Sequence, residues 1–440
     1  MINKAGEKIK ALRKAHKMTQ SELAGNELTK SMLSQIENNI SNPSFKTLQY
    51  LADRLGKPVS YFLEENYVES GKQDRSVYED TVILTEINRL IDSDQLELAQ
   101  KQLADVPENN LTGFFNKKTY ADLLLKLGSK LNSSGRIEES RACLNKSIKQ
   151  YVSANLYVEA AKAYVELAFS FYRQFDYQEC LKLSEKAFEL YDKEINKEPL
   201  FEIELYYYKI LVLFAVGDMK SASDAISKTI ELSSRTSVYF KTGELYRLNA
   251  IFNYLSSDRE LYRINLDKSK QYAEFTEDNV CIAKIYTVEA YFSLEENNWE
   301  RALEYSEKIK FCLGRETYIY HLVRGRALFQ AGSCRQAYES IVKVDYPSGE
   351  THRFDYLNMW SAKVYEGLIL NKLGRYAEAV EAVKYGIEKM SIFKESKFLL
   401  NAYKALSDIY SEAGDFKNAF TALKIANELQ EKVNNGSILF

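Results

Sequence analysis

Five prolines in 440 residues leave the chain few points at which a helix must break. Five cysteines, Cys143, Cys180, Cys281, Cys312 and Cys334, are odd in number, scattered and without CxxC spacing, so buried free thiols are predicted and neither zinc nor disulfides. Histidine is scarcer still. His16, His321 and His352 form no metal-spaced pair, and His352, in the turn-rich stretch YPSGETHRF, reads as a solvated loop residue. No glycine-rich phosphate loop or nucleophile elbow occurs, which leaves catalysis without a motif and a cofactor without a cradle; neither an enzyme nor a bound metal is expected. Long apolar runs are absent too. The densest, LVLFAV from Leu211, is far short of a membrane span, and mean hydropathy is −0.37. The N-terminus has no apolar core of a signal peptide, so a cytoplasmic protein with no membrane partner is expected.

Charge is unevenly placed. Residues 1–63 carry eight Lys and two Arg against four Glu and one Asp, a net +5, which leaves −8 on the rest of a chain whose total is −3. A basic end on an acidic body suits a duplex-binding module, since neutralised phosphates supply much of the affinity for any duplex. Within that end, Thr19 stands three residues before Glu22, the capping-box spacing that starts a helix. After the turn Gly25-Asn26-Glu27 a second helix is predicted from about Thr29, with Leu28, Leu33 and Ile36 buried. Lys30, Ser31, Met32, Ser34 and Gln35 then face out, and Asn39 can stop the helix in a left-handed conformation.

From Gly6 to Phe62 the segments IKALRKAHK, MTQSELA, SMLSQIENN, NPSFKTLQYLADRLG and PVSYFL resemble the Cro/C1-type, or XRE, helix-turn-helix domain in order and spacing. The usual Gly before the recognition helix is missing, and Asn39 stands where Gly is usual. On the free face Lys30, Ser31, Ser34 and Gln35 are candidates for base edges, Gln pairing with adenine and Lys donating to guanine, and Met32 for a thymine methyl. The resemblance implies that Thr19, Gln20, Asn42, Ser44 and Lys46 position phosphates.

Beyond residue 65, a polar stretch over 66–78 reads as a linker and residues 79–440 as a repeat array. Turn signals at Ser93-Asp94, Gly135-Arg136, Phe175-Asp176, Gly217-Asp218, Ser257-Asp258, Asn297-Asn298, Gly332-Ser333, Gly374-Arg375 and Gly414-Asp415 recur about every 40 residues. Small residues stand twelve apart across the turns: Gly128 and Ser140, Ala168 and Cys180, Ala290 and Ala302, Gly325 and Ala337, Gly367 and Ala379, Ser407 and Ala419. This pattern resembles the tetratricopeptide repeat, in about nine copies. Ile210 and Tyr262 replace small residues in adjacent repeats, and a widened helix spacing is predicted there. In such arrays the first helix of each repeat lines an inner wall that commonly binds a partner. In this register the wall comprises Lys162, Glu204, Tyr207, Arg247, Tyr254, Lys284, Tyr291, Arg326, Asn371, Asn401 and Lys404, a mixture suited to an extended peptide. The tail residues Ile438, Leu439 and Phe440 read as a frayed end, a cap on the final repeat or a contact with a partner chain.

An XRE domain followed by such an array resembles the RRNPP family of peptide-pheromone receptors, and the length is nearest to NprR-like members. The resemblance implies an all-α chain, a five-helix XRE/Cro-type domain at 1–65 followed by a right-handed tetratricopeptide-like superhelical solenoid. It implies a regulator that binds a double-stranded DNA operator, forms a homodimer through the repeats and takes a short signalling peptide in their groove. The alternative implied by related family members is an interaction protein whose repeats sequester a response regulator.

Overall fold

The computed structural model describes residues 5–434 apart from 26, 42, 44, 58, 64–72, 107–110, 112, 195–196 and 347–351. Every element among them is helical. The chain divides into two compact units, Met1–Ser170 and Phe171–Phe440. The tail residues Ile438, Leu439 and Phe440 lie outside the described residues.

The first unit opens on α1 (Ala5–Ala15), α2 (Gln20–Ala24), α3 (Lys30–Glu37), α4 (Phe45–Leu55) and α5 (Val59–Leu63). Thr19 caps α2 as its spacing predicts: Thr19 Oγ1 accepts from the Glu22 N–H at 3.1 Å and the Thr19 N–H donates to Glu22 Oε2 at 2.6 Å. Thr29 caps α3 through the Met32 N–H. The helices close over Ile9, Leu23, Leu33, Ile36, Leu48, Leu51, Leu55 and Phe62, with Leu28 only partly buried at the edge. Gly6 is required where α1 meets α3, since a Cβ there would stand 2.0 Å from the Ile36 carbonyl oxygen. Asn39 takes φ 56° and accepts the Gly6 N–H at 3.1 Å, so an amide residue holds the left-handed turn that glycine holds elsewhere.

The same unit continues with α6 (Gln73–Asp92), α7 (Leu96–Asp105), α8 (Gly113–Ser133), α9 (Ile137–Ser153) and α10 (Tyr157–Tyr172), the last running across the boundary. Of the linker expected over 66–78, residues 66–72 lie outside the described residues, and α6 starts at Gln73. The second unit contains α11 (Tyr177–Tyr191), α12 (Pro199–Val216), α13 (Met219–Thr236), α14 (Thr242–Leu255), α15 (Arg259–Phe275), α16 (Asn279–Glu295) and α17 (Trp299–Leu313). It ends with α18 (Tyr318–Gln330), α19 (Cys334–Ile341), α20 (Arg353–Lys372), α21 (Tyr376–Met390), α22 (Lys397–Glu412) and α23 (Phe416–Asn434).

Local chemistry explains the hairpins. All nine expected turns contain a left-handed residue, Asp94, Gly135, Phe175, Gly217, Ser257, Asn297, Gly332, Gly374 or Gly414, with φ between 57° and 85°. Behind five of them Asp176, Asp218, Asp258, Asn298 and Asp415 accept the N–H three residues on, at 3.0–3.2 Å, and so start the second helix. Small residues then let the two helices close. Ser140 Oγ donates to the Gly128 carbonyl at 2.7 Å, and a Cβ on Gly367 would stand 2.3 Å from Val383 Cγ2.

At Ile210 and Tyr262, where a widened helix spacing is expected, the core stays buried. Ile210 and Ala222, both 0% exposed, share one core cluster, and Tyr262, 8% exposed, shares another with a fully buried Ala250. In each hairpin one large side chain is matched by alanine on the other helix, so the core runs through. Cys143, Cys180 and Cys281 are buried free thiols as expected, whereas Cys312 and Cys334 are only half-buried. No helix among the described residues is long and apolar enough to cross a membrane.

Candidate nucleic-acid interface and ligand wall

On α3, Leu33 and Ile36 turn inward while Lys30, Ser31, Met32 and Gln35 are exposed and Ser34 is half-buried. The helix is held by an ion pair beneath it. Arg13 Nε donates to Glu37 Oε1 at 2.5 Å and Nη2 to Oε2 at 2.8 Å, with Glu37 1% exposed. Gln20 Nε2 adds a bond to Glu37 Oε2 at 2.8 Å, and Arg13 Nη1 one to the Met18 carbonyl at 2.9 Å. Burial opposes the charge on Glu37, yet its bonds from Arg13 and Gln20 hold the carboxyl below its ordinary value. One network therefore ties α1, the start of α2 and the end of α3 together. Gln20, expected at a phosphate, has its amide on Glu37 in this structure, and Thr19 is exposed. Asn42, Ser44 and the side chain of Lys46 lie outside the described residues.

In the second unit the first helices of successive hairpins touch one another, α14 with α16, α16 with α18, α18 with α20 and α20 with α22. Their side chains share one wall. On its first helix Glu244, 2% exposed, accepts from Arg247 Nη2 at 2.8 Å and pairs with Lys284 at 3.0 Å. Burial alone would raise the Glu244 carboxyl, but the charges of Arg247 and Lys284 outweigh it and bring the group down to about 2. Tyr207 lies within the field of Glu244 and Arg247, and its burial pushes the hydroxyl well up. Further along, the Arg326 guanidinium lies 5.2 Å from the Tyr291 ring centre and 4.7 Å from that of Tyr365. Asn358 Nδ2 donates to the Tyr291 hydroxyl at 2.6 Å.

Five expected wall residues, Tyr207, Arg247, Lys284, Tyr291 and Arg326, thus lie in two neighbouring clusters. Others are engaged elsewhere. Glu204 accepts from Tyr208, Tyr254 donates to Glu295 at a turn, Asn371 donates to Glu412, and Lys404 donates to Gln430 of α23. Asn401 is exposed, and Lys162 belongs to the first unit. Glu244, Asn358 and Tyr365 were missed by sequence reasoning. Glu244 had a readable signal, three residues before Arg247 and forty before Lys284, one turn and one repeat away.

His352 is a correction. It is not a solvated loop residue: it caps α20, its side chain is 19% exposed, and its ring lies 6.4 Å from that of Tyr172. Nδ1 accepts the Phe354 N–H at 3.2 Å, a bond that needs an unprotonated nitrogen and so suits the neutral imidazole. Burial lowers its tendency to charge. Beside it, Phe175 packs on Tyr356 at 5.1 Å and Phe393 at 5.0 Å, contacts that support its left-handed backbone. Among the described residues no group of three or more His, Cys, Asp or Glu could hold a metal.

Comparison with known proteins bears on both parts. The helix-turn-helix family model matches residues 9–62. Over 61 residues, 14% of this chain, the sequence is 44% identical to the immunity repressor protein of Bacillus phage phi105; the match spans 42% of that relative. Among solved structures, a Rap protein complexed with Competence and Sporulation Factor is similar at TM-score 0.53 and 11% identity, covering 82% of this chain and 99% of the Rap chain. The apo quorum sensor NprR from B. thuringiensis matches at TM-score 0.49 and 10% identity, over 80% of this chain and 99% of NprR. The chain is therefore all-α, a helix-turn-helix domain followed by stacked helical hairpins.

Proposed function

We propose that the protein is a cytoplasmic, NprR-like transcriptional regulator of the RRNPP type. It binds operator DNA through α3 and is controlled by a short signalling peptide laid along the wall of α12, α14, α16, α18 and α20. The observation that carries the peptide half is that wall: successive first helices bring arginine, lysine, amide and tyrosine groups together, which suits an extended backbone with side chains and a carboxylate. The Rap protein of similar fold was crystallised with Competence and Sporulation Factor, which agrees with this use of the fold. The DNA half is supported by the exposed polar face of α3 on a rigid frame, within a domain whose relative is a phage repressor. As a homodimer the protein would place two such helices on half-sites about 34 Å or a multiple apart, and peptide would act by changing that separation.

Gln35→Ala tests the DNA half. A pool of random duplexes is selected on the full-length protein, and the recovered sequence is titrated by gel shift with wild type and variant. The variant is expected to lose about 1–3 kcal/mol of binding, concentrated on one base position. Equal affinity for every duplex would remove Gln35 from the interface.

A further inference from the structure

Arg326 differs from Arg247 on the same wall in what fills its donors. Arg247 directs Nε and Nη2 at Glu244 Oε2, at 3.2 and 2.8 Å, so its charge is answered inside the protein. Arg326 is half-buried on α18, and its contacts are two rings, Tyr291 from α16 before it and Tyr365 from α20 after it. No carboxylate and no hydrogen-bond acceptor among the described residues meets its N–H groups. Rings attract a guanidinium, but they leave its five donors unfilled. A planar fork of that kind matches a carboxylate with two parallel bonds.

A second donor points to the same chemistry. The Asn358 N–H occupies a lone pair of the Tyr291 hydroxyl, so the hydroxyl hydrogen remains free to donate. Asp355, whose charge reaches Tyr291, lies 3.9 Å from His352 Nδ1 and forms no bond with Arg326. The rings also hold the guanidinium in place before any ligand arrives, which lowers the entropy lost on binding.

We propose that Arg326, together with the Tyr291 hydroxyl, is the carboxylate-binding end of the ligand site, so that the signalling peptide is anchored by an anionic group, either its free C-terminus or an Asp or Glu side chain. This rests on the peptide-receptor function proposed above. The probes are three pools of random hexapeptides, one with free C-termini, one amidated, and one amidated and lacking Asp and Glu. Each is passed over the full-length protein, retained peptides are identified by mass spectrometry, and their affinities are measured by calorimetry for wild type, Arg326→Met and Arg326→Lys. Neither substitution removes a bond to a protein acceptor, so wild-type circular dichroism is expected for both, with only the ring contacts of Arg326 lost in Arg326→Met.

Wild type is expected to retain peptides bearing a carboxylate and to leave the third pool unbound. Retention of the first pool alone assigns the C-terminus, and retention of the acidic members of the second assigns a side chain. Arg326→Met is expected to weaken these peptides about tenfold or more, and Arg326→Lys, which keeps the charge without the fork, by less. Equal retention of all three pools, or unchanged affinity in Arg326→Met, overturns the anchor while leaving a peptide receptor in place. Failure of wild type to retain any pool overturns the peptide-receptor function and the anchor with it.

Discussion

Arg13→Ala will unfold the N-terminal domain under conditions in which the repeats stay folded. The Glu37 carboxylate is 1% exposed and takes two bonds from Arg13; the substitution leaves it with the Gln20 amide alone. Breaking a buried pair from one side costs about 3–5 kcal/mol, because an uncompensated charge remains inside. A domain of roughly sixty residues has about 3–9 kcal/mol in all, so most of its stability would go. Replacing both partners by apolar residues of similar volume, Arg13→Met with Glu37→Leu, should cost far less. Urea unfolding of the full-length chain, followed by hydrogen exchange at α1 and α3, separates the domain from the repeats. An Arg13→Ala protein whose α1 and α3 amides keep wild-type protection would show that the pair does not hold the recognition helix.

The second large effect belongs to the repeat wall. Glu244→Gln should destabilise the second unit by about 3–5 kcal/mol at neutral pH, since Arg247 and Lys284 lose the charge they share. The sign with pH follows from the depressed carboxyl. With a folded value of about 2 and an ordinary value of 4.5, Glu244 contributes stability that is complete above about pH 4.5 and lost as pH falls toward 2. The gap between wild type and Glu244→Gln should therefore be wide at pH 7 and close by about pH 2. Thermal melts of both proteins across that range read it directly. A gap of constant width would mean that the triad contributes by shape and not by charge.

What could be read in the sequence, and what could not, divides by the range of the interaction involved. The turns were legible because a left-handed residue followed by a capping Asp or Asn is a local requirement, met at Gly217-Asp218 and Gly414-Asp415 alike. The free face of α3 was legible for the same reason: Leu33 and Ile36 mark its buried side within one turn of helix. Ile210 and Tyr262 each share a buried core with an alanine twelve residues away, a partner that lies on the other helix and outside any one-helix window. His352 was misread because its burial comes from Tyr172 and Leu211, well over a hundred residues earlier, and no window of sequence contains both. Asn358 was missed likewise, as its partner Tyr291 lies 67 residues back and not one repeat. Glu244 was missed for another reason. A search for outward groups passes over a carboxylate that is already satisfied, although that carboxylate orients Arg247 and Lys284.

Two sites in one chain are a regulator only if they are coupled, and coupling is a free energy that can be measured. The most direct measurement is fluorescence anisotropy of the selected operator duplex with full-length protein, at fixed salt, with and without a saturating hexapeptide retained from the pools. Operator affinity is expected to change by about 5–150-fold, the range of a coupling of about 1–3 kcal/mol, and the duplex should change the peptide's affinity by the same factor. Identical operator affinity with the peptide bound and absent would contradict control of α3 by the repeats.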